Sequence, residues 1–407
     1  MIIPKPSSMN SLMKTNQKWF LWVVGSIGLS ISFIFSIWYF QEAIIASPLS
    51  SLTTFNFISE LVSSNDKIVY GFMPYWNINK VEIQPELTHL AYFGLTIGAD
   101  GSIITRQDGG LEPGYKNLQE DQFLSLSQQV ANRGHSVDIT LSQFESDTIV
   151  SLLTNEKSIQ NLLTSLDSIL LAYPINGINL DIEYAGKITD PLREKMTNLV
   201  VAINQHLDQK YEHIQFSIDM YASAASTNNI WDVAAIEPHV DYIVVMAYDF
   251  HQRSSPQAGP VAPLFGGKEY WDSDINQHLV DFIKIVPKEK ILLGVPFYGY
   301  EWQTTSRDSQ AHTFPKTGST ASYKRVKEIL AKSEELQVEE SWNEQALSPY
   351  LSYVEDGEIF VVYYENSRSL SYKLDYVNQL DLGGISIWAL GYEDNSRELW
   401  DTINRKL

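Results

Sequence analysis

No cysteine occurs in the 407 residues, which excludes a disulfide framework, a thiol nucleophile and any Cys-ligated zinc or iron–sulfur centre. Basic residues are scarce: 29 Lys and Arg stand against 49 Asp and Glu, a net charge of -20. Such a chain repels phosphate backbones, so no nucleic acid is expected as its main partner. The eight histidines form neither an HExxH nor an HxH pair, which argues against a zinc site. A Gly-rich phosphate loop and a GxSxG elbow are also missing, and no repeat of fixed period is visible. With 44% hydrophobic and 19% charged residues, the chain nevertheless has the composition of a folded protein.

Charge is absent altogether between Trp19 and Phe40. As a helix these residues would reach about 33 Å, the thickness of a bilayer's hydrocarbon core. Lys5, Lys14 and Lys18 precede the segment and keep the N-terminus (1–18) in the cytoplasm by the positive-inside rule. The expectation is a single-pass anchor over 19–40 in the cell membrane, with the C-terminal part extracytoplasmic. The competing reading is secretion after signal cleavage near Ile44-Ile45-Ala46, although the apolar stretch exceeds the usual signal length. Residues 41–65, rich in Ser and Thr, read as a tether, and a folded body as 66–407.

In that body eight short aliphatic or aromatic runs alternate with amphipathic patterns such as 150–172, 191–208 and 275–286. The runs fall at 67–76, 87–95, 136–142, 175–184, 215–221, 240–250, 290–300 and 383–390. This alternation predicts an α/β fold, a (β/α)8 TIM barrel of parallel strands. The last two runs lie too far apart for one crossover helix. A small α+β insertion between strands 7 and 8 is therefore expected over 301–372, with a helix at 322–337 and a hairpin turn at Asp356-Gly357.

The fourth run carries the chemistry. In INGINLDIEY, Ile178, Leu180 and Ile182 alternate with Asn179, Asp181 and Glu183, so one face is aliphatic and the other bears an amide and two carboxyls. In a barrel the second face points inward, and Glu183 falls at the C-terminal end, where catalytic groups sit. Burial beside Asp181 is expected to raise the pKa of Glu183, as a general acid requires. Alternation by itself is also what a strand half exposed to water shows.

Residues 175–183 resemble the active-site signature of family 18 glycoside hydrolases, the chitinase and endo-N-acetylglucosaminidase family. Further stretches resemble it in order: Met246-Ala247-Tyr248-Asp249 on strand 6, Gly259 to Leu264 after it, Gly294 to Gly299 on strand 7, and Trp388 on strand 8. The resemblance implies substrate-assisted, retaining hydrolysis of β-1,4 bonds in N-acetylglucosamine-containing glycans, chitin-like or peptidoglycan, by a monomer without metal or cofactor. Glu183 would be the acid, Asp181 would orient the substrate acetamido group, and Tyr248 would help to hold it. Asn179, Met246, Asp249, Trp388, Trp76 and Tyr298 are the expected substrate-binding residues, with Trp302 a further aromatic candidate and His251 a wall residue. Two departures stand out: many chitinases have Asp in place of Asn179 and Tyr in place of Phe72. An Asn cannot share a proton, so Asp181 is expected to lose a neighbour that would raise its pKa. The alternative reading is a noncatalytic, lectin-like glycan-binding protein on the same barrel, from which the presence of Glu183 discriminates.

Overall fold

The computed structural model describes residues 67–394 and 396–407. The anchor expected over 19–40 and the tether over 41–65 lie outside the described residues. Among the described residues, no helix is long and apolar enough to cross a membrane.

Eight strands close a barrel: β1 (Ile68–Pro74), β2 (His89–Thr96), β3 (Ser136–Gln143), β4 (Gly177–Ile182), β5 (Gln215–Tyr221), β6 (Tyr242–Met246), β7 (Ile291–Pro296) and β8 (Gly384–Trp388). Each pairs in parallel with its chain neighbour, and β8 returns to β1 with Gly384 opposite Ile68. All eight expected runs thus form barrel strands. Alternation explains the two-sided packing. On β4, Ile178, Leu180 and Ile182 are buried in the layer between barrel and helices, as are Phe216, Ile218 and Met220 on β5. Their alternate residues point into the barrel.

The helical patterns hold with changed ends. The stretch 150–172 is two helices, Ser146–Thr154 and Glu156–Ala172, because Asn155 leaves the helical conformation and caps the second by accepting from the N–H of Lys157 at 3.0 Å. The helix at 191–208 runs from Asp190 to Lys210, and that at 275–286 is shorter, Ile275–Phe282, opened by the side chain of Asp274.

Between β7 and β8 lies a five-stranded antiparallel sheet in the spatial order 319–322, 298–304, 358–363, 348–355 and 339–343, with a helix at Tyr323–Ala331. Its extent differs from 301–372. The first strand begins at Tyr298, with only Phe297 between it and β7; residues 367–372 belong to the helix Ser367–Leu380 that leads back to β8. The hairpin turn is at Asp356-Gly357, both with positive φ (52° and 84°), as a two-residue turn between twisted strands requires.

Candidate active site

The polar faces of β4 and β5 meet inside the barrel. Asn179 lies opposite Ser217 and Leu180 opposite Ile218, so the next steps of the register bring Asp181 beside Asp219 and Glu183 beside Tyr221. Glu183 is the first residue past β4, fixed by its N–H, which donates to the carbonyl of Gln143 at 3.0 Å. Asn179 is fully buried and its Nδ2 donates to Ser217 Oγ at 3.0 Å and to Asp219 Oδ1 at 2.8 Å. The Oδ1 atoms of Asn179 and Asp181 are buried without a hydrogen-bond partner.

Burial raises the pKa of all three acids. Asp181 is pushed well above the usual carboxylate range by desolvation, then by the charges of Asp219 and Glu183. The expectation that Asn179 deprives Asp181 of a pKa-raising neighbour is therefore corrected: Asp219, from the adjacent strand, fills that place. Glu183 is raised by burial, opposed by a hydrogen bond from Tyr221, with Asp249 as the like charge that adds to it. The direction is the one expected, the repulsion between Glu183 and Asp181 falling on Asp181, with Asp249 a further like charge beside Glu183. Asp219 is raised by burial, while the hydrogen bond from Asn179 pulls the other way.

Beyond β6, which ends at Met246, the chain brings Tyr248 and Asp249 to the same cleft. The Tyr248 phenol lies among Asp219, Asp181, Asp249 and Glu183 and is held neutral by burial and by those charges. Its ring needs Gly294 on β7, where any Cβ would come within 2.9 Å of it. Asp249 adopts a left-handed conformation (φ 62°), which Asp tolerates better than most residues, and its Oδ1 accepts from the hydroxyls of Tyr298 and, at 2.9 Å, Tyr300. Tyr298, expected against the sugar, is buried and spends its hydroxyl on fixing Asp249, although it still borders the cleft. Trp302 is corrected outright: it is fully buried in the core of the inserted sheet, its Nε1 donating to the carbonyl of Gln252.

Trp388 closes β8 half-buried in the cleft, with Phe93 edge-on at 4.8 Å and Phe72 at 5.8 Å. The second departure thus has a packing role, since a phenyl ring at 72 supports the tryptophan. Trp76 is 47% exposed at the rim, in edge contact with Phe93. His251 is a wall residue: its Nδ1 meets the carbonyl of Pro260 at 2.9 Å, and burial lowers its pKa. The cleft has a volume of about 940 Å³.

Sequence reasoning missed Asp219, the hydrogen-bonding role of Tyr221, and the exposed rings of Phe144 and Tyr270. A signal for the first two existed. In QFSIDMY, Ser217, Asp219 and Tyr221 alternate with apolar residues as the polar residues of β4 do.

Comparison with known proteins decides the family. The model for glycosyl hydrolases family 18 matches residues 52–393. The chain belongs to that family. This family 18 member is a glycosidase. It is 26% identical over 268 residues to an uncharacterized glycosylase of Bacillus subtilis, covering 64% of this chain and 70% of that one. It is 25% identical over 300 residues to a class V chitinase of Arabidopsis thaliana, covering 69% and 76%. Across the curated relatives compared, the match spans between 56% and 77% of their own lengths. A group IV chitinase of Ostrinia furnacalis shares the fold, with a TM-score of 0.73 at 21% identity, over 84% of this chain and 99% of that one. So does a chitinase of Cycas revoluta solved in complex with (GlcNAc)3, with a TM-score of 0.71 at 19% identity, over 83% and 99%.

Proposed function

We propose that this family 18 glycosidase cleaves β-1,4 bonds adjacent to N-acetylglucosamine by a substrate-assisted, retaining mechanism. The observation that carries the reading is Glu183: a carboxyl whose pKa is raised by burial, at the mouth of the barrel, with Asp181 two residues behind it on the same face. Glu183 gives its proton to the glycosidic oxygen as the bond to the anomeric carbon breaks. The acetamido oxygen of the substrate closes on that carbon, forming an oxazolinium ion. Water then opens the ring from the same side, surrendering a proton to Glu183 and restoring the acid. Asp181 faces the acetamido nitrogen as its positive charge develops. Tyr248 donates its hydroxyl, and Asp249, pinned by two tyrosines, holds the distorted sugar. An internal nucleophile already aligned saves the entropy of recruiting another.

Trp388 supplies an apolar floor for a sugar ring, and Trp76 a second ring at the rim. Met246 borders the same floor. For the whole chain, the uncharged segment 19–40 and the lysines before it support anchoring in the cell membrane with the glycosidase outside, acting as a monomer. The test is incubation of the full-length protein in detergent with N-acetylglucosamine oligosaccharides, with products sized by mass spectrometry and their first anomer read by proton NMR. Shorter oligomers appearing as the β-anomer support the mechanism. Release of the α-anomer would overturn it, and sugar binding without cleavage would favour a lectin.

A further inference from the structure

We propose that Asp219 is a positioning residue of this site: from β5 it supplies the carboxyl that β4 lacks at position 179, and it shares one proton with Asp181. The inference rests on the substrate-assisted reading above and extends it. Its basis is geometric. The register of β4 and β5 sets Asp181 and Asp219 side by side, on strands that run about 4.8 Å apart. Each residue is 3% exposed. Asn179 donates to Asp219 Oδ1 at 2.8 Å, which favours negative charge on Asp219. Asp181 Oδ1 and Asn179 Oδ1 are buried acceptors without a donor. Two ionised carboxylates would leave that arrangement bare, whereas one proton, carried by Asp181, gives it a donor.

The surroundings agree. The charged groups that act on the pair are its own two carboxyls and Glu183. Tyr221 on β5 faces Glu183, and Tyr248 beyond β6 faces all three acids and Asp249. Deeper in the barrel, Tyr70 on β1 lies in the field of Asp219 and Asp138. Arg253 acts on Asp249, not on the pair. In the resting site the proton is on Asp181. As positive charge develops on the acetamido nitrogen, the proton passes from the Asp181 carboxyl to Asp219, leaving Asp181 anionic toward the substrate. It returns when water has opened the ring, so no proton is consumed. Asn179 then serves as the fixed donor that orients Asp219 rather than as a proton carrier.

The test is a carboxyl 13C NMR titration of full-length protein labelled at Asp, run beside kinetics. In the wild type, Asp181 and Asp219 are expected to titrate with the same two midpoints, as a pair sharing a proton must. In D219N the Asp181 midpoint should fall by about 1 pH unit or more. In the same variant kcat should drop about 10- to 100-fold with KM little changed, and the pH profile of kcat should move down in step. The exchanged variant N179D/D219N, which returns a carboxyl to the side of Asp181, should recover most of both. A merely structural Asp219 would move neither the titration nor the profile. Independent single-step titrations in the wild type, an unmoved Asp181 midpoint in D219N, or an exchanged variant no better than D219N would each overturn the proposal; the first of these needs no variant to fold. A wild type that shows the paired titration but cleaves no oligosaccharide would instead sink the functional reading while supporting the pair.

Discussion

Two sets of buried carboxyl groups in the molecule are treated differently. In the inserted sheet, Glu301 accepts from Arg325 Nε at 3.1 Å and Nη2 at 3.0 Å and from the Tyr353 hydroxyl. At the edge of the same region, Glu365 and Lys373 meet at 2.8 Å, both almost wholly buried. In the barrel mouth, Asp181 and Asp219 are as deeply buried, yet the charges acting on them are other carboxyls. A fold that needed only a stable core would neutralise these acids as the insertion does. On the proposed function, the carboxyls left without a cation in the barrel mouth are held for chemistry, at a cost to stability.

That contrast can be broken from either side. Arg325→Met should destabilise the protein most, by about 2 kcal/mol at pH 7, below the roughly 3–5 kcal/mol of a fully buried pair because Arg325 is 38% exposed. Chemical denaturation at pH 7 checks this, and a loss below about 0.5 kcal/mol would contradict it. Asp181→Asn should do the opposite, raising stability by about 1 kcal/mol at pH 7 while lowering activity. The sign follows from the raised pKa of Asp181 in the folded state: its favourable contribution is complete below the unfolded pKa and is lost as pH rises through the folded one. The gain in Tm should therefore vanish near pH 4, and a gain that grew on acidification would contradict it. The smallest effect belongs to Trp76→Ala. Removal of an exposed rim ring should raise KM about three- to tenfold, near 1 kcal/mol, with kcat unchanged in steady-state assays.

Periodicity made the barrel legible, because each strand alternates a helix-facing aliphatic residue with an inward one, and INGINLDIEY does so with chemistry on the inner face. Element ends were less legible. Asn155 looks like one more polar residue of an amphipathic pattern until its side chain is seen to cap a new helix, and the run 290–300 hides the break at Phe297 between β7 and the first strand of the inserted sheet. The site was legible where residues lie close in sequence, as Asp181 and Glu183 do, and through the resemblance to family 18 for Tyr248 and Asp249. Asp219 was not, because its meaning depends on strand register: it matters only beside Asp181, 38 positions earlier. Trp302 failed for the converse reason. An aromatic near a strand end is placed outward or inward by tertiary packing, which composition does not record.

The central claim is that Glu183 is the acid of this site and that its burial serves catalysis rather than folding. Its most direct test is the rate of N-acetylglucosamine tetrasaccharide cleavage by the wild type and by Glu183→Gln, with thermal unfolding followed on the same samples. The expected result is a fall in rate of about 10³-fold with a Tm equal to or above the wild type. A Glu183→Gln protein that cleaves within tenfold of the wild type, or that loses its activity only because it unfolds, would contradict the claim.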